Sequence, residues 1–212
     1  QGWRPTDAST AAAITENDVF IVATGGTIAT CGDYKIHTFT GPGTFTVSCG
    51  GNSVGSDSVD YLVVAGGGSG GESINYPTAY GGAGGGAGGY RESSGTASGC
   101  YTASPLGACV SALPVTVTGY PITIGGGGSG GPNTRNSGAN SIFSTITSAG
   151  GGAGGNCNSP APVNHGLPGG SGGGGGAIGL GGTGTSGTGN TPPVSPPQGN
   201  NGGTGGGSGG GG

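Results

Sequence analysis

All but nine of the 61 glycines in this 212-residue chain lie from Gly66 onward, gathered in runs that short polar or proline-bearing inserts interrupt. Glycine at that density signals either disorder or a fold whose backbones approach one another with no side chains between them. The runs read GGAGGGAGG, GGGGSGG and GGSGGGGGAIGLGG. They do not keep glycine at every third position beside a steady supply of proline, which excludes a collagen triple helix. A polyproline-II backbone remains open. It has no internal hydrogen bonds, so its N–H and C=O groups face outward and can serve neighbouring segments. Such segments satisfy one another's backbones only where side chains are absent at the contacts, and glycine meets that demand.

What interrupts the runs separates them from a flexible linker. Ala83, Ala87 and Ala153 are small substitutions, and Ile178 and Leu180 are apolar groups suited to the flank of a packed bundle. Ordering glycine opposes such a bundle by about 1–2 kcal/mol per residue. Only a cooperative set of hydrogen bonds between segments, each worth about 0.5–1.5 kcal/mol net, can offset that cost.

A large oily core is not available, because hydrophobic residues are 30% and aromatics 6% of the chain. Four Lys or Arg against eight Asp or Glu give a formal net charge of -4, and no charged side chain follows Arg135. Nucleic acid is disfavoured as a partner, since phosphate binding depends on clustered positive charge. No apolar stretch approaches the roughly 20 residues of a membrane-spanning helix. The chain contains no Met, which is expected of a processed product or a fragment.

Residues 1–17 read as a linker or attachment segment, 18–65 as a β base, and 66–212 as the glycine-rich region. Strands are expected at Val19–Val22, Tyr34–Thr40 and Thr44–Val47, the last two forming a hairpin across Gly41-Pro42-Gly43, where proline presets one dihedral and glycine permits the unusual ones. Val59–Ala65 is the most apolar strand and is expected to lie centrally in the sheet. Further strands are expected within 113–124 and 141–147. Three times a β-branched strand runs straight into glycine: 61–71, 120–131 and 142–155. The fold class that follows is mainly β with a polyglycine-II helix bundle: a small antiparallel β base followed by a glycine-rich sandwich, with almost no α-helix. The intervening pieces 72–80, 90–112, 132–140, 156–168 and 191–201 become turns and surface loops.

The five cysteines, Cys31, Cys49, Cys100, Cys109 and Cys157, have no metal-site spacing. Disulfides are expected for Cys100 with Cys109 and for Cys31 with Cys49, with at least one cysteine left over in a monomer. Catalysis finds little support. His37 reads as a structural hydrogen-bonding residue, and the Cys157/His165 pair lacks the sequence frame of a nucleophile elbow. No Gly-Lys-Ser or Gly-Lys-Thr follows the glycine runs, so they are not phosphate loops. Neither a cofactor nor a metal site is expected.

The stretches Tyr34–Val47, Val59–Gly68, Ala87–Arg91, Tyr120–Gly125 and Ser141–Gly150 together resemble the glycine-rich domain of tail-fibre and related receptor-binding proteins of tailed bacteriophages. The resemblance covers about residues 30–212; the cysteines depart from it. It implies a polyglycine-II bundle on a virion or tail fibre, outside the cell, whose connecting loops contact a bacterial surface protein or glycan. It also implies attachment to other fibre or virion proteins through the N-terminal region, with a homo-oligomer as one form of assembly. A structural fibre or virion-surface protein, whose inserts make subunit contacts, is the alternative. Candidate receptor contacts are Glu72, Ile74, Tyr76 and Tyr80 in one insert and Arg91, Glu92, Tyr101 and Leu106 in another. Asn164, His165 and Leu167 form a third group. Tyrosine suits such loops because it presents apolar area and a polar handle at small entropic cost.

Overall fold

In a computed structural model the described residues are 17–73, 81–94, 110–132, 134–157, 161–178 and 182–206. Ile74, Tyr76, Tyr80, Cys100, Tyr101, Leu106 and Cys109 lie outside them. The architecture is mainly β, with antiparallel pairing throughout and no helix among the described residues.

β1 (Ile21–Thr24) breaks from β2 (Thr27–Cys31) at Gly25 and Gly26, whose φ of 110° and 65° few other residues adopt. β2 pairs with β3 (Tyr34–Thr38) through a two-residue loop, Gly32–Asp33, with Gly32 at φ 58°. Glycine in that first position is the signature of a tight type II′ hairpin turn. The expected hairpin across Gly41-Pro42-Gly43 therefore does not form: β3 folds back on β2, and β4 (Gly43–Gly50) pairs elsewhere. β5 (Ser58–Val59) pairs with β8 (Leu113–Pro114), and β6 (Leu62–Val64) with β7 (Tyr90–Glu92). Val59–Ala65 is thus divided between two small ribbons rather than placed centrally, and Leu62 and Val64 stay exposed.

β9 (Gly119–Thr123) pairs with β4 and with β12 (Ser141–Phe143), while β1 lies on the other side of β4 and β13 (Ile146–Ser148) closes the sheet. This five-stranded sheet, in the order β1-β4-β9-β12-β13, draws its strands from both sides of Gly66. The span read as one strand over 141–147 is a hairpin turning at Ser144–Thr145, with Ser144 at φ 54°. Within 113–124 the two expected strands are Leu113–Pro114 and Gly119–Thr123, the first shorter than the Leu113–Thr118 read from the sequence. Along β4 the two-residue period is plain: Phe45 and Val47 are buried, while Thr44, Thr46 and Ser48 are exposed. With Ala23, Val115 and Ile122 they form the apolar core. The rings of Phe45, Tyr120 and Phe143 lie 5.9 to 6.4 Å apart. His37 meets Phe45 edge-on at 5.1 Å, and its Nδ1 lies 2.8 Å from the Gly25 carbonyl oxygen, a structural role as expected.

Beyond the sheet, hydrogen bonds run between extended glycine segments at every third residue. Ala65, Gly68 and Gly71 donate to the carbonyls of Gly89, Gly86 and Ala83, so segments 65–72 and 81–89 run antiparallel. Ala83, Gly86 and Gly89 in turn donate to Gly155, Gly152 and Ala149. Gly151, Gly154 and Cys157 donate to Gly66, Ser69 and Glu72, a parallel pairing. Segment 169–177 is largely buried, and its successive amides rotate among neighbours. Ser171, Gly174 and Ala177 donate to Ala87, Gly84 and Gly81; Gly172 and Gly175 to Asn200 and Gly203; Gly173 and Gly176 to Leu167 and Asn164. A backbone that returns to the same neighbour after three residues makes one turn per three residues.

Glycine is required here for its missing side chain. A Cβ on Gly172 would fall 2.0 Å from the Gly187 carbonyl oxygen, and one on Gly173 would fall 2.0 Å from that of Ala153. Among the described glycines, those with positive φ (25, 26, 32 and 51) all lie in the β base. Ala153 and Ala177 are wholly buried, and mark positions where a methyl group fits. Residues 136–140, expected as part of a turn, are another segment of the network: Gly66 and Ser69 donate to Ala139 and Asn136, and Gly138 donates to Gly151.

β10 (Gly130–Gly131) and β11 (Thr134–Arg135) form one connecting hairpin, and β14 (Ala177–Ile178) with β15 (Gly182–Thr183) forms another.

Candidate functional site

The mixed parallel and antiparallel register of the glycine segments gives the bundle two distinct ends. Ala65, Gly89 and Ala149 lie at the end joined to the β base, and Glu72, Ala83, Gly155 and Cys157 lie toward the other. At about 3.1 Å per residue, the six steps from Gly66 to Glu72 separate those ends by about 19 Å. The connections after residues 72, 130, 157 and 177 all reverse the chain at the distal end.

Arg135 holds this end together. Its Nη1 donates to the His165 carbonyl oxygen, and its Nη2 to that of Pro162 at 3.1 Å. Hairpin β10–β11 is thereby tied to the loop at 161–165. Burial pushes the Arg135 pKa down, and the two carbonyl dipoles face the retained charge. Beside it, the Glu72 amide donates to Asn156 Oδ1 at 3.0 Å, and the Glu72 carbonyl accepts from Cys157 at 2.9 Å. Glu72 and His165 are half-buried at this end, where their groups edge the surface.

Asn164 is not a surface contact. It is 1% exposed, and its carbonyl accepts from Gly176 at 2.8 Å. The asparagine was expected in a loop, but a Cβ on Gly155 or Gly184 would fall within 2.2 Å of that carbonyl, so the residue is enclosed by glycine backbones. Its buried Oδ1 has no hydrogen-bond partner among the described residues. Leu167 also belongs to the network, donating to Ala153 and accepting from Gly173, and is half-buried.

Arg91 and Glu92 sit at the opposite, base end, on β7. Glu92 is 4% exposed and accepts a 2.8 Å hydrogen bond from the Tyr90 hydroxyl, so it too is corrected from loop contact to interior group. Burial on a strand paired with β6 is the reason. Arg91 is half-buried, with Nη1 3.4 Å from the Thr147 carbonyl oxygen. It lies close enough to Tyr61 to lower the pKa of that phenol partly, although burial dominates and raises it. The two inserts that carry these candidates therefore begin at opposite ends of the glycine segments.

Cys31 is disulfide-bonded and Cys49 carries a free thiol, so the pairing expected between them does not occur. Cys49 lies on β4 opposite Val22 of β1, whereas Cys31 ends a different ribbon. Sequence reasoning missed the amide side chains that finish the segments. Gln198 Oε1 accepts from Ala149 at 2.8 Å, and Asn140 Oδ1 accepts from Gly150 at 2.9 Å. Their signal was an Asn or Gln at the junction between a glycine run and a polar insert.

A family model described as a glycine-rich domain matches residues 38–212. The chain belongs to the glycine-rich domain family. The match takes in β4 to β15 with the glycine segments and leaves out β1, β2 and most of β3. No curated protein and no solved structure matches the chain.

Proposed function

We propose that this glycine-rich domain is a non-enzymatic adhesin of a bacteriophage tail fibre or virion. It presents loops on a rigid backbone scaffold to a protein or glycan on the bacterial surface. The observation that carries the reading is the gathering of the reversals after residues 72, 130, 157 and 177 at the end remote from the β base. Together with the likeness to phage receptor-binding domains, that arrangement suits a module fixed by its base and read at its tip. We also read the three-residue hydrogen-bond repeat as polyglycine II, which explains the demand for missing side chains. Rigid presentation lowers the ordering cost at binding, where little apolar surface is on offer. Loops on such a frame can vary without rebuilding it.

The test is replacement of 73–80 and 158–160 together by serine-glycine segments of equal length, followed by adsorption to a panel of bacterial cells. The reading expects adsorption to fall to background while an exchange at 95–109 that keeps Cys100 and Cys109 leaves it intact. Adsorption unchanged by the distal exchange, in a protein that still folds, would overturn it. A structural fibre subunit is the second reading. It is favoured by large apolar residues left exposed on the base, among them Phe20 at 62%, Val117 at 66% and Leu62 at 51%. Such residues suit contact with other copies or with neighbouring fibre proteins.

A further inference from the structure

We propose that a groove on the side of the β base is a second binding site, one for a neutral saccharide. It has a volume of about 320 Å³ and is lined by Gly25–Thr27 and Thr38–Thr44. That volume lies at the lower end of the range of about 300–1,000 Å³ typical of small-molecule sites. The groove is built by the break between β1 and β2 on one side and the connection from β3 to β4 on the other. It is distinct from the distal end of the glycine segments, so it stands independently of the adhesin reading.

Three features point to a neutral sugar. First, no lining residue is charged. Phosphate and carboxylate ligands are recognised by Arg, Lys or clustered amides, and a groove without cations does not select them. Second, the lining carries four threonines, Thr27, Thr38, Thr40 and Thr44, all exposed. None of their hydroxyls hydrogen-bonds to another described residue. Thr27 and Thr38 are directly opposed across β2 and β3. Cross-strand partners carry side chains about 5 Å apart on one face, which lets two hydroxyls address the same sugar ring. A hydroxyl both donates and accepts, as a sugar hydroxyl does.

Third, the lining includes an aromatic residue. Phe39 is half-buried and borders the apolar core. A Cβ on Gly25, Gly26 or Gly43 would come within 3.2 Å of its ring, so these glycines let backbone close around it. Gly25 and Gly26 also have positive φ, so replacing them would close the groove and strain the chain together. Phe39 thus supplies an apolar group to the lining, while its sequence neighbours Thr38 and Thr40 are exposed. The groove is open and shallow, so binding in the millimolar range is expected.

The experiment is an amide NMR titration of the full chain with glucose, galactose, mannose, N-acetylglucosamine and lactose, with a sialic acid as the charged comparison. At least one neutral sugar should shift the amides of Thr27, Thr38, Thr40 and Thr44 in a saturable way. The double variant Thr38→Ala/Thr40→Ala, at two exposed positions, should weaken that binding about tenfold, the loss expected from two neutral hydrogen bonds. Phe39→Leu should weaken it as well while keeping the remaining amide spectrum native. No saturable shift with any neutral sugar would overturn the proposal, as would equal affinity in the double variant. Tighter binding of the sialic acid than of every neutral sugar would overturn the assignment of ligand class.

Discussion

Gly172→Val tests whether close backbone packing, rather than glycine flexibility, holds the molecule together. A Cβ at position 172 would lie 2.0 Å from the Gly187 carbonyl oxygen and 2.4 Å from its carbonyl carbon. Relieving that overlap requires segment 184–189 to move away by about 1 Å, toward the shortest carbon–oxygen separations that packed interiors sustain. Three of the hydrogen bonds that tie that segment to its neighbours are Gly187 to Gly173 at 2.8 Å, Gly202 to Gly187 at 3.0 Å and Gly184 to Gly176 at 3.0 Å. Stretched by that amount they leave hydrogen-bonding range. Their loss amounts to about 1.5–4.5 kcal/mol, with about 1–3 kcal/mol more from overpacking. Restricting the unfolded chain returns about 0.4–1 kcal/mol. The net expectation is a destabilisation of about 4 kcal/mol, or a fall in Tm of about 8–16 °C for a domain of this size. Ser171→Ala is the control. Ser171 already carries a Cβ, and its hydroxyl accepts a single long bond, 3.4 Å, from Asn200; its Tm should fall by no more than about 2 °C. Thermal unfolding of both variants by calorimetry decides the matter. Equal Tm values would refute the packing argument at this position.

Hydrogen exchange on the native protein should show slow exchange at Gly86, Gly152 and Gly174, whose amides are bonded inside the network, and fast exchange at Gly41; coil-like rates at the first three would contradict the hydrogen-bond assignment. Arg135→Ala should leave Tm within about 4 °C but accelerate exchange at His165 and Asn164, because the tie between hairpin β10–β11 and loop 161–165 is lost; unchanged exchange there would show that the tie does not order the tip. Burial raises the Tyr61 pKa above its usual 10.0. The folded state therefore holds the phenol proton more tightly than the unfolded state, and stability should fall as pH rises above 10 toward the folded value. Tyr61→Phe should reduce that slope in denaturant midpoints measured across the alkaline range. Under non-reducing conditions a maleimide should label Cys49 and not Cys31, and Cys49→Ser should leave the Cys31 disulfide in place; peptide mapping that finds Cys31 joined to Cys49 would overturn the assignment.

What the chain determined by itself is the kind of contact it can make. Glycine runs interrupted by alanine, with few apolar groups and no charge after Arg135, leave backbone hydrogen bonding as the main source of order. Val, Ile and Thr ahead of each run set strands that pass straight into extended glycine, as β6, β9 and β13 do. Only the tertiary structure decided who pairs with whom. Gly41-Pro42-Gly43 is a sound hairpin turn, yet β3 turned back at Gly32–Asp33 instead, because β4 gains a neighbour on each side by joining β1 and β9. Ser144, a residue without glycine's freedom, takes the positive-φ position of the β12–β13 hairpin, so nothing local announced that turn. The candidate site was legible to the same degree. Inserts between runs were readable as connections, but not which end of the bundle each occupies, since a glycine segment carries no side-chain pattern to set its direction or partner. Asn164 and Glu92 were misplaced for that reason. Polar residues in an insert look exposed until a neighbouring backbone, invisible in the local sequence, closes over them.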